Sequence, residues 1–130
     1  MKSFLPLIIV LSASFALPAC SNEPKAHHVS GKVTFAGKPV PAGTVYFDPQ
    51  ADGPQGHAVI KNGEYNTAKD GGKGVTGGRF IVRIEGFDGN SGNDLPLGNV
   101  LFNDFQQSLE LPMADSVHNF DVPETEKPSP

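Results

Sequence analysis

One cysteine, Cys20, is the only thiol in a chain of 130 residues, and it directly follows an apolar run. Thiols form disulfides, bind soft metals or act as nucleophiles, but the first needs a second cysteine and the others need neighbours. "GGKGVTGG" (71–78) has the look of a phosphate cradle. That chemistry needs Gly-x-x-x-x-Gly-Lys-Ser/Thr between a strand and a helix. Here Lys73 is followed by Gly74 and then by a strand pattern, so the stretch is a turn-forming connection. "DGNSGND" (88–94) offers the oxygens of Asp88, Asn90 and Asp94 to calcium, a cation that takes six or more. Its sixth position is Asn93 where a calcium loop needs glycine, and no glutamate follows at the twelfth, so an ordinary Asx-rich turn is the favoured reading. The histidines, His27, His28, His57 and His118, lack the spacing that sets two imidazoles on one face, and no metal or other cofactor is expected. No Gly-x-Ser-x-Gly elbow occurs, and no spacing signals a carboxylate pair, so catalysis is not expected. Tyr46, Tyr65 and Phe87 are candidates for an aromatic sugar-stacking platform, although strand tyrosines more often fill the edge of a core.

Cys20 makes sense with what precedes it. Lys2 supplies a positive n-region, "LPLIIVLSASFAL" an apolar h-region, and Ala19 a small residue before the cysteine. Pro6 and Pro18 interrupt a run already short for a membrane span, so residues 1–19 are expected to be a signal segment. Leu17-Pro18-Ala19-Cys20 resembles the lipobox of bacterial lipoproteins, with Pro18 departing mildly from the usual small or β-branched residue. The resemblance implies cleavage before Cys20 and acylation of its sulfur. Ser21 stands where an aspartate would favour retention in the inner membrane, which implies export to the outer membrane, facing periplasm or exterior. "SNEPKAHH" is polar and aperiodic; residues 20–27 are expected to be a tether between lipid and domain.

The elements that follow are short and alternating. "VSGKVTF" puts Val29, Gly31, Val33 and Phe35 on one face and Ser30, Lys32 and Thr34 on the other, a strand buried on one side. "AGKPVPAG" is a turn-rich link in which Pro39 and Pro41 forbid a central strand. "TVYFDP" is a second strand. "HAVIKNGEYNT" is a hairpin turning at Asn62-Gly63, a pair that adopts two positive φ angles cheaply. "AKDGGKGVTGG" is a long connection with room for one short strand. "RFIVRIEGF" is the clearest strand, with Phe80, Val82 and Ile84 inward. "DGNSGNDLPLG" is a loop, "FQQSLEL" and "SVHNFDV" are two more strands, and 124–130 is a frayed tail. The 15 glycines and 12 prolines fall between these runs. Seven strands punctuated this way, and no amphipathic helix, predict an all-β domain over 28–123, a Greek-key β-sandwich.

"GKVTFAGKPVPAGTVYF", "NGEYNT" and "GVTGGRFIVRI" together are similar to the carboxypeptidase-regulatory-like, transthyretin-type β-sandwich modules of small exported bacterial proteins. Gly31, Val33, Gly37, Pro39, Val40, Val45, Phe47, Gly63, Tyr65, Gly78, Phe80 and Val82 carry the likeness, which spans 29 to about 86. The "HNFDVP" strand also resembles small lipoproteins built on this module. The resemblance implies fold and location more than mechanism. Enzymes on this scaffold, notably the 5-hydroxyisourate hydrolase, end in Tyr-Arg-Gly-Ser, whereas this chain ends "KPSP".

A formal charge of −4, with lysines and acids interspersed, excludes the basic block that nucleic acid requires. The expectation is a non-catalytic envelope lipoprotein that meets the membrane through its lipid. It would bind or scaffold a protein or polysaccharide. The alternatives are a small-ligand or calcium module using 88–94, or a sugar-binding accessory domain.

Overall fold

The computed structural model describes residues 25–92 and 94–126. Nine strands appear in chain order: β1 (Val29–Phe35), β2 (Lys38–Pro39), β3 (Ala42–Pro49), β4 (Gly56–Lys61), β5 (Glu64–Asn66), β6 (Gly78–Phe87), β7 (Val100–Leu111), β8 (Ser116–Val117) and β9 (Phe120–Val122). Among the described residues the only helical element is the 3₁₀ turn Glu124–Glu126, where the sequence predicts a frayed tail. The protein is all-β.

The strands run β2-β1-β5-β4-β3-β6-β7, with β8 and β9 added to β1. Every pairing is antiparallel except those of β8 and β9, which lie parallel to β1. β1 is the strand on which the sheet curls. Its first half pairs with β5 and β8, its second half with β2 and β9. The curl brings Phe35 of β1 against Phe102 of β7, with ring centroids 5.1 Å apart, although four strands lie between β1 and β7 in the order.

Alternation explains the core. Val45 and Phe47 of β3, Ala58 and Ile60 of β4, and Phe80, Val82 and Ile84 of β6 are all buried, while the residues between them face water. Phe102 and Phe120 close the two sides. Each such phenylalanine contributes about 2–3 kcal/mol by leaving water. The β4–β5 turn forms as the Asn-Gly pair predicts, with φ of 52° at Asn62 and 78° at Gly63.

Four elements differ from the sequence-based expectation. The link after β1 is a tight hairpin, and Pro39 sits in a two-residue strand at the sheet's end, where its missing N–H does no harm. β7 begins at Val100, five residues before the predicted start, because a register shift opposite Ile84 and Gly86 lets it follow the full length of β6. "SVHNFDV" is two strands, not one. The break falls where Asn119 uses its side-chain oxygen to accept the Lys32 N–H (2.9 Å) and the His118 carbonyl accepts the Tyr65 hydroxyl (2.6 Å). The glycine-rich 67–77 segment makes two single bridges, His57 with Lys73 and His27 with Val75.

Candidate functional site

The outward face of β1, β5 and β4 forms a groove of about 590 Å³. Alternation puts Lys32, Glu64 and Lys61 on this face, and register sets them in one row: Lys32 opposite Glu64, and Glu64 opposite Lys61. Lys69 and Asp70 from the 67–77 loop form one wall, and Val117 and Asn119 another. Lys61 reaches Asp70 at 2.8 Å, a pair that is mostly solvent-exposed and therefore mainly orients the loop. The groove continues along β8 past His28, Asp115 and Ser116, whose buried hydroxyl has no hydrogen-bond partner among the described residues. Lysine ammoniums, amides and two carboxylates around Val59 suit an extended polar chain.

A second polar cluster lies on the same face at β3 and β6. Asp48 accepts hydrogen bonds from Arg83 Nε and Gln55 Nε2. The Arg83 bond above all holds the Asp48 carboxyl below the usual carboxylate range, and the same contact raises Arg83. The Arg83 guanidinium lies 5.0 Å from the centre of the Tyr46 ring, and the Tyr46 hydroxyl donates to Glu85 at 3.2 Å. Hydrogen bonds hold the carboxyls of Asp48 and Asp88 below the usual range, opposite to the direction that makes a general acid at neutral pH.

The structure separates the residues singled out from the sequence. Cys20 and residues 1–19, read from the sequence as a signal segment, lie outside the described residues. Tyr46 is half-buried beneath Arg83, so its ring face is already occupied. Tyr65 is 3% exposed, packed between Phe47 and Phe120, and burial pushes its hydroxyl well above the ordinary tyrosine range. It offers no ring to a sugar, because β5 turns residue 65 into the core while Glu64 faces out. Asp88 spends its carboxylate on the loop itself. It accepts the backbone N–H of Asn90 (2.8 Å), the backbone N–H of Asn99 (3.0 Å) and the Asn99 amide (3.1 Å), which lower its pKa. Asn90 thus serves Asp88 through its backbone, and Asp94 lies exposed in the next turn. Among the described residues no three His, Cys, Asp or Glu side chains converge on a point that would hold a metal.

The groove lysines were not singled out from the sequence. Alternation alone places Lys32 and Lys61 on a solvent face, but only strand order makes them neighbours. No protein-family model, curated protein or solved structure matches this chain, so its function rests on its own residues and geometry.

Proposed function

We propose that this protein is an exported lipoprotein, held at the outer membrane through Cys20, whose β domain binds a neighbouring envelope protein or polysaccharide without transforming it. The domain belongs, in this reading, to the carboxypeptidase-regulatory-like, transthyretin-type sandwiches with Greek-key connections. The positions that carry the likeness are structural ones here too: Val33, Val45, Phe47, Tyr65, Phe80 and Val82 are buried, and Gly63 makes the hairpin turn.

The observation that carries the proposal is the Leu17-Pro18-Ala19-Cys20 run, set behind an apolar segment and only nine residues before β1 at Val29. Each acyl CH₂ buried contributes about 0.8 kcal/mol, so two or three chains hold a domain stably where one does not. The groove supplies the binding face. A calcium role for the 88–94 loop is not carried forward, because the Asp88 oxygens are committed to Asn90 and Asn99. The test is Cys20→Ser in the full chain. The variant is expected to leave the membrane fraction and to lose labelling by a fatty-acid probe; unchanged partitioning would overturn the anchor.

A further inference from the structure

The strands of this fold all run between the same two ends. One end carries the entry of the chain at Lys25–His28 and the loops 50–55, 67–77 and 112–115. The other carries the β1–β2 and β4–β5 turns and the loop 88–99. The entry is pinned to its own end. His27 and Val75 exchange backbone hydrogen bonds of 2.7 and 2.9 Å, and the His28 N–H donates to Asp115 Oδ1 at 2.8 Å.

From Cys20 to His27 there are seven peptide links, which at full extension span at most about 25 Å. β6, running end to end through Gly78–Phe87, covers roughly 33 Å. A lipid on Cys20 therefore cannot hold the far end against a bilayer while the near end points away. The near end is also chemically suited to a membrane. Met113, at the tip of the β7–β8 loop, is 81% exposed and packs beside Gly77 of the 67–77 loop. Lys69 and Lys73 on that loop are exposed, and Asp70 between them is paired with Lys61. An exposed methionine can enter the headgroup layer, and Lys69 and Lys73 on the same end can meet lipid phosphates beside the exposed Asp52 and Asp115.

We propose that the end formed by the 50–55, 67–77 and 112–115 loops rests on the bilayer, with Met113 entering the headgroup region. The 88–99 loop, with Leu95 and Leu97 exposed, then stands away from the membrane. This inference rests on the lipid anchor proposed above.

The experiment uses the full-length acylated protein carrying Met113→Cys or Leu97→Cys, each labelled with a fluorophore. The vesicles are phosphatidylethanolamine and phosphatidylglycerol with a headgroup-nitroxide lipid. The expected result is quenching about threefold stronger at position 113 than at 97, since interfacial contact is shallow. Equal quenching in a protein that floats with the vesicles would overturn the orientation alone, as a domain lying on its side would produce it. Failure to float would remove the anchor and this inference with it. Both sites are exposed, and an unchanged circular dichroism spectrum verifies that each variant is folded.

Discussion

At the scale of single residues, several carboxylates of this protein are committed to neighbouring side chains. Asp48 is the clearest case, shared between Arg83 and Gln55 on a face open to water. Its side chain is 30% exposed and that of Arg83 45%, so solvent screens the pair to below about 1 kcal/mol. Because its folded pKa is depressed, Asp48 contributes stability above the unfolded-state pKa and loses it as pH falls through the folded one. Asp48→Asn is therefore expected to lower the melting temperature at pH 7 by less than about 8 °C. The gap should close on acidification below the carboxylate range, as followed by thermal melts; an equal gap at pH 7 and in strong acid would show that charge is not involved. Little of this was legible in the sequence. Nothing in the string "FDPQADGPQ" says that Asp48 meets Arg83, because the β3–β6 pairing is made across 35 residues.

At the scale of elements, the decisive contact is the one β1 makes with the segment 116–122. A side chain on Gly31 would bring its Cβ within 1.9 Å of the His118 carbonyl oxygen, which also receives the Tyr65 hydroxyl. Absence of a Cβ thus lets the two parallel segments approach. Gly31→Ala must displace the carbonyl, lose that hydrogen bond and strain the Asn119 bond to Lys32. The expected cost is about 2–4 kcal/mol, read from the urea midpoint at unchanged slope. A loss within the ~0.5 kcal/mol typical of surface changes would mean that the close approach does not matter. Periodicity had located β1, β3, β4, β5 and β6 well, since each is buried on one side and alternates accordingly. It merged β8 and β9, because Val117 and Phe120 look continuous until the side chain of Asn119 takes the place of a backbone acceptor.

At the scale of the whole molecule, a single core joins everything from Val29 to Val122. The core spans both halves of β1, so the sheet cannot come apart in pieces without exposing Phe47, Phe80, Phe102 and Phe120 together. The fragment 25–130 is accordingly expected to fold without lipid or disulfide. It should show a β-type circular dichroism spectrum and one transition in which fluorescence and dichroism coincide. Separated transitions would show that the β8–β9 segment docks independently of the rest. The groove belongs to this scale as well, being walled by parts of the chain as distant as Lys32 and Asn119.

The sequence by itself determined the all-β class, most strand positions, the Asn62-Gly63 turn and the resemblance of Leu17–Cys20 to a lipobox. These depend on local alternation, on backbone dihedrals and on a short covalent motif. Tertiary structure alone decided that β8 and β9 lie parallel to β1, that Tyr65 is core, that the Asp88 oxygens are consumed by their own loop, and that Lys32, Glu64 and Lys61 stand in a row. Each of these depends on which distant segments become neighbours, and that is set by the burial of one shared core.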